Sequence, residues 1–341
     1  MRQRLAEVNI LRAIACIAVI LIHVSISSVH NLQKESLNII VLTLILGVSK
    51  FAVPGFIFIS GLTLFYNYSN KKLNYPSFLK KRLSYVLIPY VVWTIIYYIY
   101  NVKQSYYNFS LIFLLEKILR ADAIYHLYFI LVIVQFYILF GLFKYILKKF
   151  NSHAIIIFFF IVNTIFLKFF YVQNLFIQYI FFFILGCYVA INYNQFTYKL
   201  TKYKYYICIT YIITTLIYSY LFYQHYILQY QVNYIILYWF ISSTISILFI
   251  YYISLFIYKK KETPLYNTIN RISAASFYIY LSHPLAISVS QNYLNKVGYI
   301  SITGSFIITT IFVFISVIPL SIFYVLLKNK IYPILRKSIN R

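Results

Sequence analysis

VNILRAIACIAVILIHVSISS, residues 8–28, decides how this chain is read. The stretch is apolar and long enough to cross a bilayer as a helix, which takes about 20 such residues. It nevertheless carries Arg12 and His23. Ionisable side chains in a membrane helix are costly, and they mark cavities, substrate paths or proton relays. Eleven steps of about 100° bring His23 back to within about 20° of Arg12, so both point the same way, roughly 16 Å apart along the axis. One face thus carries a permanent cation near one end and a titratable base deeper in. Arg2 and Arg4 precede the run, as in a signal peptide. No small-residue cleavage site follows and Arg12 interrupts the apolar core, so the segment reads as an uncleaved first membrane helix.

The rest of the chain keeps this character. Of its 341 residues, 62% are hydrophobic and 10% charged, against about 45–50% and about 25% in soluble domains. The expected class is all-α: a polytopic integral membrane protein of about ten transmembrane helices. The segments fall at 8–28, 48–67, 83–101, 124–146, 153–171, 175–193, 204–223, 233–257, 276–293 and 304–327. Residues 37–47 read either as an interfacial helix or as an extension of the second segment. With the N-terminus placed in the cytoplasm, 22 of the 30 cations fall in inner segments and six in outer ones, while Arg12 and Lys50 lie within the membrane. That is a positive-inside pattern, and an even helix count puts both termini in the cytoplasm. The whole of 1–341 reads as one transmembrane domain with no separate soluble domain. The largest outer loop, 102–123, contains LIFLLEKIL, a candidate interfacial helix.

A net charge of +25 would point to nucleic acid in a soluble protein. Here the basic residues punctuate apolar runs, so topology accounts for them and no nucleic-acid partner is expected. The abundance of Tyr (40) and Phe (32), with Ile and Asn, matches an AT-rich genome such as that of a low-GC bacterium. Cys16, Cys187 and Cys208 sit in apolar segments without metal-type spacing, and no metal is expected.

Five acids exist: Glu7, Glu35, Glu116, Asp122 and Glu262, none deep in a predicted segment. This counts against a carboxylate-based coupled transporter and against paired-carboxylate catalysis. Histidine is the remaining base. His23 falls in the outer half of its helix, His126 near the outer start of the fourth segment and His283 near the middle of the ninth; His30, His153 and His225 fall in loops or at helix ends. For each, a hydrogen-bonded core histidine is the plainer role; sharing a face with Arg12 sets His23 apart. In the second segment Pro54 and Gly55 permit a kink. Ser60 and Gly61 admit either a thin ligand or another helix backbone. Lys80, Lys81 and Arg82 open the third segment, with Pro89 a turn or two in. They serve either as ordinary anchors or, for the Arg82 fork above all, as a grip on phosphate.

Together these pieces resemble the acyltransferase-3 family of integral membrane acyltransferases. The motifs are Arg12-x10-His23, Pro54 to Ser60-Gly61, Lys81-Arg82 with Pro89, His126-Leu-Tyr-Phe, Phe183-Ile-Leu-Gly186, and Ser276-Phe-Tyr-Ile-Tyr280-Leu-Ser-His283-Pro284. They run in order over nearly the whole chain, on the ten-helix plan of that family. YNTINRISAASFYIYLSHPL (266–285) and RLSYVLIPYVVW (82–93) look most like the intercellular adhesion protein C type, linked to the biofilm polymer poly-N-acetylglucosamine. Tyr128 departs from the Trp of many members, and the chain resembles stand-alone members without an SGNH-type hydrolase domain.

The resemblance implies transfer of an acetyl or succinyl group from cytoplasmic acyl-CoA to a hydroxyl of an extracytoplasmic glycan, in the plasma membrane of a bacterium. The anionic phosphoadenosine end of CoA would sit on Arg12, Lys81, Arg82 and Arg271, and the pantetheine arm would thread along the first helix to His23, the general base. An unperturbed imidazole, with a pKa near 6.5, suits that role at neutral pH. His126, Ser60 and Tyr280 are candidates for stabilising the oxyanion, and Tyr280 and His283 for substrate contact or structure. The alternatives are a polysaccharide exporter or flippase, and a non-catalytic partner of a glycan synthase complex. Ten short-looped helices so rich in Phe, Tyr and Ile offer little lining for a wide polar path.

Overall fold

The computed structural model describes residues 5–29, 37–170, 172–298 and 301–339. Arg2, Arg4, His30, Lys34, Glu35 and Arg341 lie outside the described residues. The described chain is helical, with no strand: α1 (Ala6–Val29), α2 (Leu37–Ser49), α3 (Ala52–Tyr68), α4 (Tyr75–Lys103), α5 (Leu111–Arg120), α6 (Tyr128–Lys149), α7 (Ser152–Phe169), α8 (Ile180–Ile191), α9 (Tyr193–Lys202), α10 (Lys204–Phe222), α11 (Ile235–Tyr258), α12 (Pro264–Val297) and α13 (Ile302–Ile339). Lipid offers backbone groups no partners, so spanning segments must satisfy them internally, as helices do. Local chemistry starts several of them. Asn74 accepts from the Ser77 amide, Ser110 from Phe113 and Thr263 from Tyr266, with Pro in the first turns of α4 and α12.

Nine described helices are long and apolar enough to span, or ten if Phe176–Ile191 and Tyr193–Lys202, bent by 102°, count as one. The exposed faces are greasy. On α7, Ile157, Phe158, Ile161 and Ile165 lie outward, and on α13 Ile308, Ile311, Phe312 and Ile315 do. That i, i+3, i+4 stripe is what a lipid-facing helix shows, the reverse of a soluble one.

The structure corrects several sequence boundaries. Residues 37–47 belong to α2, and Leu37–Tyr68 forms one span of 32 residues broken only near Lys50 and Phe51. Pro54 opens α3 instead of kinking it. α4 begins at Tyr75, so Lys80, Lys81 and Arg82 stand in its second turn and Pro89 sits mid-helix. α12 begins at Pro264, which places Arg271 inside the helix. His126 sits in the turn before α6. Glu7, expected at a span edge, is buried in the first turn of α1 (2% exposed) and accepts a hydrogen bond from the Tyr251 hydroxyl at 3.3 Å. That neighbour lies 244 residues away, beyond any local pattern.

The chain divides into two compact units: the described residues up to Gly55 together with those from Leu200 onward, and Phe56–Lys199. In the first unit α12 packs against both α1 and α13. Asn9 Nδ2 donates to Asn270 Oδ1 (3.1 Å), the Cys16 thiol reaches the Ser276 carbonyl (3.9 Å), and the His23 ring lies 5.2 Å from that of His283. The numbers rise together, so α1 and α12 run parallel. With every other span counted as one crossing, α12 is parallel to α1 only if the bent α8–α9 pair also crosses. The register therefore supports ten crossings.

In the second unit α3 and α8 meet through glycine. A Cβ on Gly61 would lie 2.9 Å from the Phe183 carbonyl carbon, and one on Gly186 2.7 Å from the Leu62 amide nitrogen. The entry to α8 is irregular, a short 3-10 turn at Phe176–Tyr179. Buried Asn163 of α7 steadies it by donating to the Gln178 carbonyl (3.1 Å) and accepting from the Phe181 amide (3.0 Å). Asn163→Leu strips both bonds from backbone that lipid cannot satisfy. It should cost about 2 kcal/mol, read as a lowered melting temperature of the detergent-solubilised protein. An unchanged melting temperature would show that the turn stands without Asn163.

Candidate functional site

The parallel seam between α1 and α12 gathers polar groups at two levels. Asn9, Arg12, Cys16 and His23 fall within about 60° of one another around α1. At the lower level Arg12 Nη1 donates to Asn9 Oδ1 (3.4 Å), and Asn9 bonds Asn270. Exposed Arg271 follows Asn270 directly along α12. Arg12 is half-buried, and its bond to Asn9, itself bonded to Asn270, holds its guanidinium towards α12.

The upper level holds His23 and His283, with ring planes 32° apart. His283 is fully buried, and its Nδ1 lies 3.1 Å from the Ile279 carbonyl. As a carbonyl only accepts, Nδ1 carries the proton there and Nε2 keeps a lone pair when the ring is neutral. Tyr280, buried, places its ring 6.3 Å from that of His283. His23 itself is half-buried, while its partner is sealed. Between the two levels lies Ser273, whose buried hydroxyl has no hydrogen-bond partner among the described residues.

Of the residues expected from sequence, the structure brings together Arg12, His23, Tyr280 and His283 along this seam, with Arg271 beside its lower end. His283 gains most, because it stands against His23 instead of elsewhere in the core. The sequence carried one signal for this. On α12, Ser273, Ser276, Tyr280 and His283 recur at three- and four-residue steps, which puts them on one helical face.

One member was missed. Lys50, at the break between α2 and α3, receives the Trp239 indole N–H on its carbonyl (3.3 Å) and holds its ammonium 5.3 Å from the centre of the Phe222 ring. That ammonium lies within electrostatic reach of the His23 ring. A charge interrupting an apolar run was the only hint.

Ser60, Lys81, Arg82 and His126 belong to the second unit. Arg82 lies over the Tyr68 and Phe78 rings, at 5.6 and 5.9 Å. The stacking leaves its fork edge available for an anion while its flat face is fixed. Lys81 is exposed and Ser60 half-buried. His126 is 2% exposed, edge-on to Tyr97 at 5.7 Å and beside Tyr125 at 5.8 Å. That aromatic box is the setting of a core histidine. Gly61 serves helix packing, the second of the two roles its sequence allowed. Among the described residues no group of three His, Cys, Asp or Glu side chains is placed to hold a metal ion.

A family model for an acyltransferase domain, acyltransferase-3, matches residues 5–326. Over 318 residues the chain is 29% identical to a probable poly-beta-1,6-N-acetyl-D-glucosamine export protein of Staphylococcus epidermidis, covering 86% of this chain and 84% of the relative. A Staphylococcus aureus protein of the same description is 29% identical over 308 residues, 85% of this chain and 84% of its own. No solved structure matches the chain.

Proposed function

The chain belongs to the acyltransferase-3 family, and from that premise we propose that it moves an acetyl or succinyl group from cytoplasmic acyl-CoA to a hydroxyl of an extracytoplasmic polysaccharide resembling poly-beta-1,6-N-acetyl-D-glucosamine. The carrying observation is the α1–α12 seam, with an oriented cation at one level and a histidine pair at the other. The positive-inside pattern supports an orientation with Arg12 towards the cytoplasm and both termini there, in the plasma membrane of a bacterium.

Arg12 and Arg271 would receive the phosphates of CoA. The pantetheine arm would run up the seam past the Ser273 hydroxyl, and its length suits the roughly 16 Å between Arg12 and His23. At the upper level His23 takes the proton of the acceptor hydroxyl as its oxygen attacks the thioester carbonyl. The C–O bond forms, the intermediate collapses, the C–S bond breaks, and the CoA thiolate leaves with the proton that His23 returns. His283, sealed and hydrogen-bonded to backbone, fixes the plane in which His23 works.

Expressing the chain beside a poly-N-acetylglucosamine synthase should raise the ester content of the surface polymer, and mass analysis of the acid released by mild base would name the acyl group. Unchanged ester content with the protein stably inserted in the membrane would overturn the reading. The names of the relatives favour a second one, export, which predicts loss of surface polymer without the chain while its ester content stays the same. A narrower check concerns the donor. Arg12→Ala removes one charge-assisted phosphate contact, so the KM for acyl-CoA should rise about 10- to 100-fold. Equal acyl-CoA affinity in the two proteins would take Arg12 out of the donor site.

A further inference from the structure

A lysine within an apolar span is expensive, and Lys50 has a defined place. Gly55 backs onto α1, where a Cβ on it would lie 3.8 Å from the Ala15 Cβ. Successive crossings run in opposite directions, so five residues earlier, at about 1.5 Å each, Lys50 stands about 7.5 Å further up α1, level with Ile20 and one turn short of His23. Its backbone is held by the Trp239 indole, and its ammonium stays on the α10 side over Phe222. Aromatic contact keeps a cation charged without neutralising it, because the ring offers only a quadrupole. No ion pair to Lys50 occurs among the described residues. The ammonium of Lys50 thus stands near the base of the seam, His23, with no carboxylate paired to it among the described residues.

We propose that Lys50 is the oxyanion stabiliser of the acyl transfer, its ammonium donating to the former carbonyl oxygen of the tetrahedral intermediate formed next to His23. The inference rests on the acyltransferase reading above. When the acceptor oxygen adds to the thioester, the carbonyl π electrons move onto oxygen and create an anion for the ammonium to meet. When the intermediate collapses, the electrons return, the C–S bond breaks and Lys50 is left as it began, with no proton consumed. Fixed charges aimed at an oxyanion act most strongly in a low-dielectric, dry site, and a membrane interior is one. An ammonium serves every acyl group alike, since each passes through the same oxyanion.

The test uses the full chain in lipid nanodiscs, with acetyl-CoA and succinyl-CoA as separate donors and a β-1,6-linked N-acetylglucosamine oligomer as acceptor. Lys50→Met should lower kcat about 100-fold with each donor the wild type accepts and leave KM within about twofold. Lys50→Arg should recover most of the loss, because the cation is kept. Lys50→Gln takes the place of Lys50→Met if the latter fails to insert. A purely structural lysine would show its loss in inserted protein and melting temperature, not in kcat. The proposal is overturned if the inserted neutral variants keep kcat within twofold. A loss in KM alone, or with succinyl-CoA alone, overturns it too, as that would mark Lys50 as a binder of donor carboxylate. If His23→Ala is inactive while the neutral Lys50 variants are not impaired, this assignment fails by itself. A wild type that transfers neither group removes the acyltransferase reading and this assignment together.

Discussion

His23→Ala is expected to reduce acyl transfer by about 100- to 10,000-fold, which corresponds to about 3–5 kcal/mol of lost transition-state stabilisation. His23 is half-buried at the upper level of the α1–α12 seam, with the His283 ring 5.2 Å away. A hydroxyl attacking a thioester must lose its proton as the C–O bond forms, and the described acids stand at span ends or near loops, with Glu7 occupied by Tyr251. His283 cannot simply substitute, since its ring is fully buried and bound to the Ile279 carbonyl. Removing a half-buried ring leaves no large cavity, so stability should change little and the loss belongs to chemistry. His23→Gln keeps polarity and bulk but cannot accept and return a proton, so it should be as inactive as His23→Ala. Ester groups per sugar in the product, set against the amount of chain recovered in the membrane, is the measurement. A stably inserted His23→Ala that esterifies at the wild-type rate would remove His23 from the reaction.

What was legible beforehand follows from the range over which each signal acts. Hydropathy and helical period are local, so the spans, the shared face of Arg12 and His23, and a short helix at Leu111–Arg120 could all be read from neighbouring residues. Span edges were harder. The apolar stretch of α12 gives way to PLYNTINRIS near its start, yet the helix continues through it because Thr263 and Pro264 start it earlier and water can receive that part. The histidine pair was out of reach for a different reason. It depends on α1 and α12 lying parallel and in register, set by Asn9 on Asn270 and Cys16 on Ser276 across some 260 residues of chain. Glu7 on Tyr251 and Lys50 near Phe222 are of the same long-range kind. A sequence shows that such a residue is costly where it stands, and only the packing shows what it stands against.

Gly186→Leu is expected to abolish accumulation of folded protein in the membrane, and Gly186→Ala to lower stability by about 1–3 kcal/mol. The distinction from most glycine substitutions lies in what the added atoms meet. A Cβ on Gly186 would fall 2.7 Å from the Leu62 nitrogen and 3.1 Å from the Phe58 carbonyl carbon, and one on Gly61 3.2 Å from the Phe183 α-carbon. These are backbone atoms on both sides of the α3–α8 contact, so no rotamer change relieves the clash and the helices must part. Inside a bilayer that parting is not offset by any hydrophobic gain, because lipid tails are as apolar as the side chains and association rests on close packing. At Gly55, by contrast, the nearest neighbour is the Phe51 ring at 3.3 Å, a side chain that can give by a few tenths of an ångström. Gly55→Ala should therefore be tolerated, and it makes the matched control. The paired geometry also predicts non-additivity. Once Gly61→Ala has separated the helices, Gly186→Ala meets a gap already open, so the double variant should cost clearly less than the two single losses combined. Melting curves of the four proteins in one detergent give that coupling, and strict additivity would mean that the two glycines pack independently.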